Sequence, residues 1–204
     1  QANDYFVYQG SEKNVLQRYY EAANEVSADT IVRVTGDCPL TDAKLVDSCI
    51  EKYQSSNVDY LSNVEPTSFP DGLDVEVFSF KSLSDANKLA QSDFDREHVT
   101  PFIRNSKANS IASITSPLDY SKHRWSVDEP EDLELVRRIV KLFSPNIYFS
   151  WQEALNLYEK YPEKFYVNSH IKNNEGSIIG TGQKLYKRAK RIIPGGGMLL
   201  SKRP

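Results

Sequence analysis

The sequence predicts an α/β domain built on a mainly parallel sheet. Three observations lead there. The first 62 residues alternate between β-branched or apolar runs and segments of helical period, in the order β-α-β-α-β. That order favours crossover helices between parallel strands. Aromatic residues make up 11% of the 204-residue chain, enough for a packed core and against disorder. No apolar run reaches the ~18 residues of a transmembrane helix, and mean hydropathy is −0.54.

Each element has its own signal. Residues 5–8 (YFVY) read as a short strand. Ser11 is an N-cap candidate for a helix over 12–26, with Val15, Leu16, Tyr19, Tyr20 and Ala23 at helical spacing. Residues 30–36 (TIVRVTG) form a buried strand candidate. A helix over 42–53 places Leu45, Val46, Cys49 and Ile50 inward, and 58–62 reads as a third strand. Residues 73–80 alternate, with Leu73, Val75 and Val77 on one face and Asp74 and Glu76 on the other. The pattern predicts a half-exposed strand. Helices are expected over 83–91 and 95–105, the latter interrupted near Pro101. Residues 111–115 and 123–127 are expected to pair as a hairpin. Pro130 suits a first helical position, and Leu133, Val136, Ile139, Val140 and Phe143 form an inward stripe. Ser150 and Glu153 make a capping box for a last helix through Lys160. The glycine-containing stretch 169–182 reads as a linker. Beyond it, a short basic amphipathic helix ends at Pro194 and three glycines.

The formal charge of −3 conceals an acidic body and a basic tail. No acidic residue follows Glu175, and seven basic residues lie between Lys184 and Arg203. The acidic body argues against nucleic acid as its partner. The first 30 residues show no secretion signal. Cys38 and Cys49 have no zinc-ligand spacing, so both are expected to be reduced packing residues of a cytoplasmic protein. The chain begins with Gln1 and carries its one methionine at Met198, which is expected of a fragment.

Two carboxylates occupy informative positions. Asp37 follows the strand candidate TIVRVT, and Asp128 follows HRWSV. In open α/β sheets ligands bind beyond the carboxyl ends of strands. Two acids there can share Mg²⁺ with substrate phosphates. Spacing alone leaves open that Asp37 is a turn residue and Asp128 an N-cap. Asp74 and Glu76 point the same way from one strand, as in an acid-x-acid metal site or a solvated strand face. Arg96 and His98, in DREHVTPFIRN, make a polar cluster suited to a polyhydroxylated or acidic substrate, or simply a helix start. No GxxxxGK[ST] or GxGxxG phosphate loop is present.

Taken together, YQGSEKNVLQRYY, IVRVTGDCPLTD, DYLSNV, FPDGLDVEVFS, REHVTPFIRN and RWSVDEPEDLELVR resemble the cytidylyltransferase family. The nearest branch is the spore coat polysaccharide biosynthesis protein F type; CMP-Kdo and CMP-sialate synthetases are more distant. The resemblance implies a Rossmann-like nucleotide-diphospho-sugar transferase fold, with a mixed, mainly parallel sheet lacking its first strands. It implies cytidylyl transfer from CTP to an acidic or related sugar, with release of pyrophosphate. Asp37 and Asp128 match the family's catalytic, magnesium-binding aspartates. Gly10, Ser11 and Asn14 lie in the stretch matching the cytidine side, and Arg33 is expected to face the same pocket. Asp74, Glu76, Arg96 and His98 are expected on the sugar side. The basic triphosphate loop that opens the family's fold has no match here, so the chain alone is expected to be inactive.

The last 20 residues, LYKRAKRIIPGGGMLLSKRP, resemble the opening of a glutamate-1-semialdehyde aminotransferase-type domain. This implies a fusion: a cytidylyltransferase domain over 1–176, a linker over 177–183 and a second domain starting at 184. Pyridoxal phosphate enters only with that second domain. The expected partners are CTP, a sugar and a second copy of the chain, with no nucleic acid and no membrane.

Overall fold

Helices and strands alternate along residues 6–171, the part of the chain that the computed structural model describes. The chain divides into units Gln1–Asn168 and Ser169–Pro204, and the account that follows concerns the first. The linker over 177–183 and the aminotransferase-like stretch 184–204 lie outside the described residues.

Residues 6–8 form no strand. Helix α1 (Val15–Glu25) starts later than Ser11 predicts, because Asn14 takes the cap and its side chain accepts from the Gln17 N–H. Ser11 instead accepts from the Asn14 N–H at 3.0 Å. Strand β1 (Thr30–Arg33) leads through the Asp37 loop into α2 (Ala43–Ser56), then β2 (Tyr60–Ser62). Strand β3 (Glu76–Ser79) runs straight into α3 (Phe80–Leu89), capped by Ser79. Two short helices follow, α4 (Asp93–His98) and α5 (Pro101–Asn105), separated where Pro101 opens the second. Strand β4 (Ile111–Ser113) precedes α6 (Pro130–Phe143), α7 (Trp151–Lys160) and α8 (Pro162–Phe165). The capping box of Ser150 and Glu153 forms as predicted.

The sheet is not mainly parallel. Its order is β1-β3-β2-β4; β3 pairs antiparallel with both β1 and β2, and the β2–β4 pairing alone is parallel. The β-α-β reading assigns the direction of β1 and β2 correctly, since both oppose β3. It fails on adjacency, because β3 returns from the 63–75 loop and inserts between them. Two further expectations fail for local reasons. Residues 123–127 form no strand; the Trp125 and Ser126 N–H groups converge on the Asp71 carbonyl, and Arg124 makes a single parallel bridge to Asp71. Strand β4 therefore pairs with β2 and not in a hairpin. Residues 73–78 are not half-exposed: β3 is central, with Leu73, Val75, Val77 and Phe78 wholly buried and Glu76 at 3% exposure.

Successive residues on the central strands face opposite sides, and two cores result. Leu61 and Val77 join Leu45, Trp125, Leu135, Ile139 and Phe165 on one side. Tyr60 and Phe78 join Leu16, Ile31, Leu83, Val99 and Ile103 on the other. Helix α6 turns slightly from its predicted face: Leu135 is buried while Leu133 is exposed. Both cysteines are free and buried. No helix among the described residues is long and apolar enough to cross a membrane.

Candidate active site

The loop after β1 carries Asp37 in a tight turn, closed by the Cys38 N–H on the Thr35 carbonyl at 3.2 Å. The carbonyl of Asp37 accepts the Val127 N–H at 2.8 Å. That bond holds the 123–128 segment against the end of β1 and sets Asp128, the next residue, beside Asp37. Both aspartates are exposed. Asp128 is not a cap: Glu129 takes the N-cap of α6, in a capping box with Asp132.

Three further residues complete this acidic group, and spacing had singled out none of them. Asp71 lies in the 63–75 loop, its N–H on the His123 carbonyl at 2.9 Å. Gly72 beside it has φ +101°, and a Cβ there would meet the Ser126 nitrogen at 2.4 Å, so only glycine lets the two segments press together. Arg124 is 8% exposed. It donates to Asp132 through Nε and Nη2, each at 3.0 Å, and to Asp128 through Nη2 at 2.6 Å; its Nη1 lies 3.5 Å from Asp71. Asp132 is wholly buried and also accepts from Asn168 at 2.8 Å. The sequence signal was present, in an arginine four residues before Asp128 and eight before Asp132.

The electrostatics follow from this packing. Burial works against the Arg124 charge, but hydrogen bonds and charge from Asp132 and Asp128 outweigh it and raise its pKa. Burial likewise opposes the Asp132 carboxylate, yet Arg124, Asn168 and two backbone N–H groups hold it below the ordinary range. Burial raises Asp71, against the pull of Arg124. Burial, then the charges of Asp71, Glu76 and Asp37, push the Asp74 carboxyl up to about 6. The region therefore carries an excess of negative charge that favours a cation. Burial pushes the Cys38 thiol up to about 12, so beside Asp37 it stays protonated and is no nucleophile at neutral pH.

The other predicted residues sit elsewhere. Arg33 and Glu76 face each other across β1 and β3 and form an ion pair. Glu76 also accepts from Tyr60 Oη at 2.6 Å and Thr100 Oγ1 at 2.7 Å. Arg33 Nε is buried without a hydrogen-bond partner. Gly10 packs on Arg18 and Tyr8, and Ser11 and Asn14 shape the start of α1. Arg96 donates to Asn87 at 3.0 Å, and the His98 ring lies 4.5 Å from that of Phe94. These contacts place Arg96 and His98 among α3 and α4.

Asp37 and Asp128 offer hard carboxylate oxygens, the donor type that Mg²⁺ takes. Among the described residues no three His, Cys, Asp or Glu side chains are arranged to hold a metal by themselves. The pair fits a cation held by one or two carboxylates and completed by a ligand's phosphates.

Comparison with known proteins gives a consistent set of likenesses. A family profile described as cytidylyltransferase matches residues 3–169. An uncharacterized protein of Methanocaldococcus jannaschii is 35% identical over 169 residues, covering 81% of this chain and 68% of that protein. The spore coat polysaccharide biosynthesis protein SpsF of Bacillus subtilis is 29% identical over 163 residues, covering 77% and 66%. The solved structure of a cytidylyltransferase from Leptospira borgpetersenii superposes with a TM-score of 0.73 at 29% identity, covering 77% of this chain and 67% of that one. The chain thus spans about two thirds of the length of the relatives it matches. None of these likenesses supports an aminotransferase reading of residues 184–204.

Proposed function

The chain belongs to the cytidylyltransferase family, and from that premise we propose that the protein transfers a cytidylyl group from CTP to a sugar, giving a CMP-sugar and pyrophosphate. A sugar hydroxyl oxygen forms the new bond to the α-phosphorus. The bond from that phosphorus to the bridging oxygen breaks, pyrophosphate leaves, and the hydroxyl proton passes to solvent or base. Asp37 and Asp128 are the residues that hold Mg²⁺ together with the phosphates. When bound, the cation offsets charge developing on the phosphate oxygens. The chain's own contribution is to bring the two residues together through the Val127 N–H to Asp37 carbonyl bond and to leave both exposed.

The observation that carries this reading is the hydrogen bond from the Val127 N–H to the Asp37 carbonyl, which brings Asp128, the residue after Val127, to the Asp37 loop from 91 positions away in sequence. In the same proposal, Gly10, Ser11, Asn14 and Arg33 lie on the cytidine side; the unpartnered Arg33 Nε supports a ligand contact there. Asp74, Arg96 and His98 lie on the sugar side, with Arg96 the partner for an acidic group. Glu76 is committed to Arg33, Tyr60 and Thr100, so its part is to hold Arg33. By likeness to SpsF, the product serves polysaccharide biosynthesis.

The test is release of pyrophosphate from CTP by the intact protein, since the chain alone is expected to be inactive, in the presence of Mg²⁺ and a panel of acidic and neutral sugars. Asp37→Asn and Asp128→Asn should each lower turnover at least about a hundredfold, the scale for losing one group that stabilises transition-state charge. Full activity in both variants rejects the assignment.

A further inference from the structure

Arg124 poses a physical question. It is a nearly buried cation, yet it touches Asp128, one of the two carboxylates assigned to a metal ion. A fixed positive charge beside a cation site repels the cation. Its presence needs another reason, and the contacts supply one.

The guanidinium has little freedom. Nε and Nη2 grip the two oxygens of Asp132 at 3.0 Å each, a two-pronged pairing that fixes the guanidinium plane. Asp132 is itself immobilised, accepting from Asn168 Nδ2 at 2.8 Å and from the Asp128 and Glu129 N–H groups at 3.1 and 3.0 Å. Asn168 also donates to the carbonyl of Arg124 at 2.9 Å, closing the arrangement from the backbone side. Nη2, already on Asp132, also donates to Asp128 at 2.6 Å, and Nη1 lies 3.5 Å from Asp71. Among the described residues, Oδ2 is the oxygen of Asp128 that Arg124 engages.

We propose that Arg124 is a positioning residue for the Asp37–Asp128 pair: clamped by Asp132 and Asn168, it fixes the rotamer of Asp128 and leaves Oδ1 available to the cation. This rests on the reading of that pair given above. Charge alone and positioning predict opposite signs. If Arg124 acts through its charge, removing it tightens cation binding. If it positions Asp128, removing it weakens binding.

The experiment is direct titration of the full protein with Mn²⁺ alone, reading free Mn²⁺ by electron paramagnetic resonance, without nucleotide or sugar. Arg124→Gln should bind Mn²⁺ roughly ten- to a hundredfold more weakly, the range for losing a partner that orients a metal ligand. Arg124→Lys keeps the charge but not the fork, and should also weaken binding at least about tenfold. If Arg124→Gln does not melt cooperatively, Arg124→Lys decides the matter. Unchanged or tighter binding in the folded variant, with Asp128→Asn weakened, overturns the positioning role alone. Mn²⁺ binding that Asp128→Asn leaves untouched overturns the cation pair and the role of Arg124 with it.

Discussion

Gly72 determines how closely the Asp71 loop approaches residues 124–126, and so where the carboxylates stand. Its φ of +101° and the 2.4 Å approach of a built Cβ to the Ser126 nitrogen leave no room for a side chain. Gly72→Ala should cost about 3 kcal/mol or more, combining about 1–2 for the left-handed backbone with about 1–3 for overpacking. Urea melts check this; a loss below about 1 kcal/mol would show that the loop moves away without cost. Nothing in the sequence named Ser126 as the neighbour of this glycine. The same holds for Asp71, Arg124 and Asp132. Arg124 and Asp132 are eight residues apart, yet the approach of Asp71, 53 residues before Arg124, depends on a contact between distant segments. Glu76 shows the reverse case. Its alternation with apolar neighbours reads as an exposed face, and a buried three-partner carboxylate gives the same pattern.

The elements themselves were largely legible, because capping and periodicity are local. Asp42, Ser79 and Ser150 accept hydrogen bonds from the N–H groups of Leu45, Ser82 and Glu153 at the starts of α2, α3 and α7. Asp42 does more than cap. Its second oxygen accepts the Trp151 N–H at 2.8 Å, so one carboxylate ties the starts of α2 and α7 across 109 positions. Asp42→Ala should therefore exceed an ordinary cap loss of about 1 kcal/mol. The Trp151 N–H left unpaired adds on the order of 1–3 kcal/mol. A double-mutant comparison with Ser150→Ala tests this: coupling below a few tenths of a kcal/mol would mean the two helix starts are independent. The elements that were misread are the weak ones. Residues 6–8 and 123–127 have β-forming composition but, among the described residues, join no strand ladder.

At the scale of the whole molecule, stability toward acid depends on His123, buried against Tyr158 with ring centroids 4.5 Å apart. Burial, then Lys122, lower its pKa from 6.5 to about 4. The folded state therefore keeps it neutral while the unfolded chain protonates it. Its contribution is fully present above pH ~6.5 and is lost as pH falls toward about 4, on the order of 2–3 kcal/mol in all. Asp74, raised to about 6, has the opposite sign in the same window. Comparing wild type with His123→Phe removes that common contribution. The variant's urea midpoint should fall less between pH 7 and pH 4.5; parallel declines would dismiss the role of His123. The sequence by itself determined most of the helices, the capping box of Ser150 and Glu153, the running direction of β1 and β2, and the family, because each is encoded in short strings. Only the tertiary structure decided that β3 inserts between β1 and β2, that Glu76 is buried, and that Asp71, Arg124 and Asp132 gather at Asp128. Strand order and side-chain convergence are settled by long-range packing and burial, and a local pattern carries no record of which distant segment will arrive beside it.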